Sequence, residues 1–184
     1  MNSDKKHMIT KYYASPVGKL LLAAEESGLC GLWIEGQKYE AAGLTAPKAE
    51  GDNAILRLTC EWLDAYFAGQ KPEIAALPLT PQGSAFRQRV WRLLCEIPYG
   101  EVMTYGALAK RIAAEDGRSA MSAQAIGGAV GHNPISIIIP CHRVVGADGS
   151  LTGYAGGVEK KLWLLRHEGA DLNPLYLPKR GTAL

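Results

Sequence analysis

Residues 8–35 read MITKYYASPVGKLLLAAEESGLCGLWIE and consist of three apolar segments separated by the turn sequences SPVG and ESG. Short apolar segments bounded by glycine, proline and serine are typical of neighbouring strands joined by tight turns. Further along, apolar side chains recur at helical spacing over residues 53–67, and Gly69 marks the end of that helix. The first part of the chain is therefore predicted to form a small strand-rich domain with one helix.

The chain changes character after residues 70–83, QKPEIAALPLTPQG, which contain three prolines and predict a linker. Helical periodicity then predicts one helix from Phe86 to a stop at Pro98, a second capped by Thr104 and a third capped by Ser122. The polar turn EDGRSAM between the last two indicates a helix-turn-helix, although such pairs also occur in core packing. We expect an α+β fold, with an N-terminal domain in residues 1–80 and a mostly helical C-terminal domain in residues 81–184.

Composition excludes several classes of protein. Hydrophobic residues make up 47% of the chain and charged residues 21%, so the chain can bury a core and is not of the disordered class. The sequence contains no run of 18 apolar residues, the length that a membrane-spanning helix needs. The N-terminal sequence MNSDKKHMIT lacks the apolar stretch of a secretory signal. We expect a soluble, cytoplasmic protein without membrane contact.

The net charge of +2 is unevenly distributed. Residues 1–83 contain 8 basic and 10 acidic side chains, whereas residues 84–184 contain 12 basic and 8 acidic side chains. A basic C-terminal half fits an acidic partner such as nucleic acid. An ordinary solvated surface explains the same numbers, so charge alone does not decide between them.

The four cysteines are widely spaced and form no C-x-x-C pair: Cys30, Cys60, Cys95 and Cys141. This spacing predicts neither a disulfide framework nor a structural zinc site. We expect no metal and no cofactor. Three of the thiols lie in ordinary apolar surroundings, and only Cys141 has neighbours that point to chemistry.

Cys141 follows the apolar residues 135–139, ISIII, which predict a short buried strand that Pro140 ends. A cysteine is a nucleophile as its thiolate, which a nearby imidazole or cation favours. His142 and Arg143 are its immediate neighbours, but consecutive side chains of an extended chain point to opposite faces. A water bridge between Cys141 and His142 is therefore the simpler geometry. An inert buried cysteine beside an exposed histidine is the alternative.

A carboxylate is needed to orient the imidazole. A helix predicted over residues 158–168 places Glu168 partly on its inward side, where an unpaired carboxylate is costly. His142 is one candidate partner, and Lys161 on the same side is another. His167 is expected at the surface.

Several motifs in register resemble the O6-alkylguanine-DNA alkyltransferase family. IPCHRVV at residues 139–145 is similar to its active-site signature. The further matches are PYGEV at 98–102 with Tyr105, GGA at 127–129 with Asn133-Pro134, GYAGG at 153–157 and LLRHEG at 164–169. The resemblance covers roughly residues 80–170. The strand-rich N-terminus is compatible with the family's first domain, a ribonuclease H-like three-stranded sheet with a helix.

The resemblance implies a single-turnover DNA-repair enzyme. Cys141 would accept the alkyl group of an O6-alkylguanine, or of O4-methylthymine, after the nucleotide is flipped out of double-stranded DNA. The product is a thioether, which offers water no carbonyl to attack, so one protein molecule repairs one lesion. No obligate protein partner is implied.

The resemblance also assigns roles to residues. Four support Cys141 in catalysis: His142 takes the thiol proton through a water, Glu168 orients His142, Asn133 supports the turn, and Tyr105 donates to the base. The guanine pocket would be lined by the Val144 carbonyl, Tyr154, Ala155 and Gly156. DNA contacts would come from Gly106, Ser122, Ala123, Gln124, Gly127 and Arg143.

The predicted helix SAQAIGGAVGHN contains mostly alanine and glycine and no basic residue. Such a helix suits close approach to the minor groove and shape readout rather than arginine–guanine contacts. Many family members carry an arginine on this helix that fills the gap left by the flipped base. Gln124 stands there in this chain. Its side chain can fill the gap and hydrogen-bond the orphaned base, but it has no charge to attract it to the groove, so we expect flipping to be less well supported.

Two other functions use the same residues. A cysteine hydrolase built on Cys141, His142 and Glu168 would turn over many times, and a DNA-binding module would need only the helix-turn-helix. Replacement of Cys141 by serine separates the binding module from both enzymes, since only the module is indifferent to that change.

Overall fold

The computed structural model describes residues 7–42, 44 and 48–179. Its N-terminal part contains β1 (Met8–Ser15), β2 (Gly18–Glu25) and β3 (Gly28–Ile34), joined as antiparallel hairpins. A short strand that sequence periodicity did not predict, β4 (Lys48–Glu50), pairs in parallel with β1, so the sheet has four strands in the order β3-β2-β1-β4. Both turns need glycine, since Gly18 has φ +115 and Gly28 φ +159.

Helix α1 (Ala54–Phe67) covers the sheet. The side chain of Asn53 caps it by accepting the amide of Leu56 at 2.8 Å. Its inward face carries Leu56, Leu63 and Tyr66, which are fully buried. The residues predicted to form a linker then contact the sheet edge: the Leu29 amide donates to the Pro78 carbonyl at 2.8 Å. The two parts of the chain are in direct contact at β3, where the Leu32 amide donates to the Pro134 carbonyl at 2.8 Å.

The C-terminal part contains α2 (Ala85–Leu94), α3 (Tyr105–Glu115), α4 (Ala123–Gly131) and α5 (Val158–His167). The predicted caps are confirmed, because Thr104 accepts the Ala107 amide and Ser122 the Ala125 amide. Strands β5 (Met103–Thr104) and β6 (Val144–Val145) pair in parallel beside α3. The predicted α+β fold class and the helix pair α3–α4 are confirmed.

The strand predicted for residues 135–139 is wrong. Ile135 makes a single bridge to Leu32, and the chain then turns, with Ile137 at φ 71. A β-branched residue rarely adopts this left-handed conformation. Cys141–Arg143 continues as one turn of 3-10 helix, so Cys141 lies in a tight turn rather than at the end of a strand.

One apolar cluster joins both parts of the molecule, with Leu32 of the sheet, Leu63 of α1, Trp91 of α2 and Ile126 of α4 among its members. The turn that carries Cys141 is embedded in this cluster. Within the residues described, no helix is long and apolar enough to cross a bilayer.

Candidate active site

Cys141 lies inside the molecule, with only 5% of its surface exposed. Burial raises the pKa of its thiol, and this effect outweighs the hydrogen bond from Asn133 and the positive charge of Lys161, which favour the thiolate. The resting cysteine is therefore a protonated thiol. It needs a base to become a nucleophile.

Asn133 holds the turn that presents Cys141. Its side-chain NH2 group donates to the Ile139 carbonyl at 2.7 Å, and its carbonyl oxygen accepts the Ile135 amide at 3.0 Å. These two bonds bracket Ile137, whose positive φ is strained. Asn133 is thus hydrogen-bonded at both ends of the segment that precedes Cys141.

His142 and Glu168 form a buried pair. Nε2 of His142 lies 2.7 Å from Oε1 of Glu168, and neither side chain is exposed. The carboxylate fixes the proton on Nε2, so Nδ1 carries the lone pair. Burial lowers the pKa of His142 even though Glu168 opposes this shift. The imidazole is therefore neutral at rest and has a free basic nitrogen.

Glu168 is held from several sides. Arg143 donates to both of its oxygens, from Nε at 2.9 Å and from a terminal nitrogen at 3.1 Å. The Tyr66 hydroxyl donates to Oε1 at 2.7 Å and the Gly100 amide to Oε2 at 3.3 Å. Burial alone would raise the pKa of Glu168, but the bonds from His142 and Arg143 hold it well below its usual range. The carboxylate stays ionised.

Arg143 is not available to DNA, contrary to the sequence-based expectation. Its side chain is 6% exposed, and its guanidinium is paired with Glu168 and also donates to the Ile97 carbonyl at 2.6 Å. A buried carboxylate requires such a partner. Arg143 therefore belongs to the interior of the active site.

Lys161 does not pair with Glu168, which was the open alternative for that carboxylate. Its ammonium group donates to the Val144 carbonyl and, at 2.7 Å, to the Thr152 carbonyl. Burial lowers the pKa of Lys161 to about 8. His167 is not a free surface residue either: its Nε2 lies 2.7 Å from the Tyr66 carbonyl and its ring stacks on Trp163.

The residues expected to meet the guanine base lie at the start of α3, in β6 and in the segment between β6 and α5. Tyr105 begins α3, and its hydroxyl donates to the Thr152 carbonyl at 3.4 Å. Tyr154 is buried, and burial raises the pKa of its phenol. A Cβ on Gly156 would come within 2.9 Å of Ile34 and Tyr154. Ala155 and Gly156 are half-buried, and a side chain at position 156 would require Ile34 and the Tyr154 ring to move.

The helix expected to contact DNA presents a small, uncharged surface. Ser122, Ala123 and Gln124 are exposed at the start of α4, and Gly106 is exposed in α3. Gly127 is buried, so its expected DNA contact is wrong; at helical spacing it falls on the inward face with Ile126 and Val130. Gly128 is exposed instead, with no atom within 4 Å of an added Cβ.

Sequence reasoning missed two polar members of this site. Tyr66 is a regular member of the apolar face of α1, and nothing in its local sequence marks it as a partner for a carboxylate. Lys161 was noticed only as a competitor for Glu168. A lysine on the inward face of a helix is itself a signal, because burial of an ammonium group demands carbonyl partners.

Comparison with known proteins agrees with this geometry. Residues 8–81 match the ribonuclease-like domain of 6-O-methylguanine DNA methyltransferase, and residues 85–170 match its DNA-binding domain. The methylated-DNA–protein-cysteine methyltransferase of Haemophilus influenzae is 42% identical over 162 residues, covering 85% of this chain and 84% of the relative. The protein of that name from Shigella flexneri is 52% identical over 131 residues, covering 71% and 68%.

A solved structure shows the same fold with DNA bound. The crystal structure of Mycobacterium tuberculosis OGT in complex with DNA superimposes with a TM-score of 0.74 at 41% identity, covering 89% of this chain and 92% of that one. Both halves of the sequence and the fold thus agree with the same family. The chain belongs to the O6-methylguanine-DNA methyltransferase family.

Proposed function

We propose that this protein repairs DNA by transferring the alkyl group of an O6-alkylguanine to its own Cys141. The observation that carries the proposal is the buried Cys141 beside the buried His142–Glu168 pair, in which Nδ1 of a neutral imidazole has no hydrogen-bond partner and can accept a proton. Membership of the family and the relatives' names supply the substrate class.

The chemistry begins with removal of the thiol proton. Nδ1 of His142 accepts it through one water, while Glu168 stabilises the resulting imidazolium through Nε2. The Cys141 sulfur then attacks the alkyl carbon, so an S–C bond forms and the C–O6 bond breaks. The bonding electrons stay on guanine, which takes a proton from the Tyr105 hydroxyl, and Tyr105 recovers a proton that the His142 imidazolium releases to solvent. Across the whole reaction, one proton moves from the thiol to guanine.

The surface of α3 and α4 binds the DNA. The exposed small residues at the start of α4 allow the helix to approach the minor groove, and the nucleotide is flipped into the pocket beside Tyr154. O4-methylthymine would react in the same way, since it presents the same kind of alkyl–oxygen bond. We assign alkyl transfer and DNA binding to residues 81–184, and we infer a cytoplasmic location, where the Cys141 thiol stays reduced.

Intact-protein mass spectrometry after mixing with an O6-methylguanine oligonucleotide tests the proposal. One methyl group should appear per protein molecule, and peptide mapping should place it on Cys141. Cys141→Ser should remain unmodified while still binding the duplex. A label on Cys30, Cys60 or Cys95 would overturn the assignment, and many turnovers per molecule would indicate a hydrolase instead.

A further inference from the structure

A hydrogen bond connects the N-terminal helix to the reaction centre across the boundary between the two matched domains. Tyr66 of α1 donates its hydroxyl to Oε1 of Glu168 at 2.7 Å. His142 uses the same oxygen, also at 2.7 Å. From these shared contacts we infer that Tyr66 is a positioning residue, which fixes the Glu168 carboxylate and sets how strongly it supports the His142 imidazolium. The inference rests on the proposed function.

Packing and hydrogen bonds hold Tyr66 in this position. Its side chain is fully buried, stacks on Trp62 at a ring distance of 5.4 Å, and meets the edge of Tyr99 at 5.9 Å. The Tyr66 carbonyl also lies 2.7 Å from Nε2 of His167, the last residue of α5, which Glu168 follows directly. Its rotamer is therefore fixed at both ends by packing and hydrogen bonds.

The hydroxyl acts as a donor throughout the working range of pH. Burial and the charge of Glu168 raise the pKa of Tyr66 far above its ordinary value. Since the phenol stays protonated and the carboxylate stays ionised, the O–H···O⁻ bond is charge-assisted. The hydrogen bond from Tyr66 stabilises negative charge on Oε1, which then supports a proton on the His142 imidazole less strongly. The phenol therefore lowers the pKa of His142.

Other titratable and charged groups face the same pair and must stay unchanged in a test. The groups that surround His142 and Glu168 are Arg143, Lys161, Cys141, Tyr99 and Tyr154. Arg143 already anchors both carboxylate oxygens, so loss of the phenol leaves the carboxylate in place but freer to tilt. The effect of removing the Tyr66 hydroxyl can therefore be measured while the ion pair between Arg143 and Glu168 stays intact.

Tyr66→Phe removes one oxygen atom and keeps the ring. We expect the maximal rate of methyl transfer to fall about tenfold, the scale of one hydrogen bond to a charged group. The acid limb of the pH–rate profile should move to higher pH, because a more basic carboxylate raises the pKa of His142. Transfer from the free modified base and from duplex DNA should fall equally, with affinity for undamaged duplex unchanged.

Tyr13→Phe is the matched control. The Tyr13 hydroxyl also donates to a carboxylate on α1, that of Asp64 at 2.6 Å, but at the protein surface. This variant should match the wild type in both rate and pH profile. Equal losses in the two variants would mean that the tyrosines act through the stability of α1, and the positioning role would be wrong.

A second substitution covers the case in which Tyr66→Phe does not fold. 3-Fluorotyrosine at position 66 keeps every contact but makes the phenol a stronger donor, so the acid limb should move to lower pH, opposite to Tyr66→Phe. An unmoved limb in both variants overturns the inference even if the rates fall. If the wild-type protein transfers no methyl group, the proposed function itself fails. If the wild-type protein is active and the Tyr66 variants have the same rate and pH profile as the wild type, the inference about Tyr66 alone fails.

Discussion

The interior around Glu168 and the exposed start of α4 are built on opposite principles. Glu168 receives hydrogen bonds from four residues, His142, Arg143, Tyr66 and Gly100. In contrast, Ser122, Ala123 and Gln124 present uncharged side chains to solvent. The first arrangement fixes one carboxylate so that a proton can move along a set path. The second leaves a smooth surface that a DNA groove can meet closely. Substitutions in the two regions should therefore damage different steps.

The largest effect is expected at the proton acceptor. His142→Ala and Glu168→Gln should slow methyl transfer by about a hundredfold or more, because general-base assistance is lost or misdirected. Affinity for undamaged duplex should stay near that of the wild type. Single-turnover rates and a binding titration measure the two quantities separately. Glu159→Gln, an exposed glutamate on the same helix, is the control. If rate and affinity fell together, the contrast between the regions would not hold.

The Glu168 pair should also appear in the pH dependence of stability. The pKa of Glu168 is held below its unfolded value, so its contribution is present above the unfolded pKa and is lost as pH falls through the folded pKa. Glu168→Gln leaves the buried Arg143 guanidinium without its counter-ion, which costs about 3–5 kcal/mol in such pairs. Denaturant unfolding at several pH values should show a flatter acid profile in the variant. A parallel profile would contradict the assignment.

Parts of this interior could be predicted from sequence and parts could not. The turn-bounded strands of residues 8–35 and the capped helices follow from local signals, and family motifs identify Cys141, His142 and Glu168. Tyr66 and Glu168 lie 102 positions apart, and local sequence shows only that Tyr66 is apolar enough to be buried. The run of isoleucines at 135–139 has strand propensity, but the bonds from Asn133 impose a turn on it.

The glycines of α4 allow a smaller effect to be measured on the exposed side. Gly128 is exposed with open space at its Cβ position, so Gly128→Ala should stabilise the free protein by up to about 1 kcal/mol. If this face enters a groove, the added methyl should weaken duplex binding. Gly127→Ala, on the buried face, is the comparison, since its effect should be on stability. If Gly128→Ala became more stable but kept its affinity for duplex DNA, this face of α4 would not be the one that contacts DNA.

The smallest effect on affinity is expected at Gln124, the second residue of α4. Gln124→Ala should leave affinity for undamaged duplex nearly unchanged, because the side chain carries no charge for a phosphate and most binding energy comes from phosphate contacts. Repair in duplex DNA should slow by a few-fold, since the space vacated by the flipped base would stay unfilled. Repair of the free modified base should be unaffected, because it needs no flipping. Gln124→Arg should speed duplex repair and steepen the salt dependence by about one phosphate contact at most. The test is the repair rate of the wild type, Gln124→Ala and Gln124→Arg on duplex DNA and on the free base. If Gln124→Ala loses both activities equally, Gln124 supports the fold or the pocket. The contrast between the fixed interior and the DNA-facing surface then fails at this position.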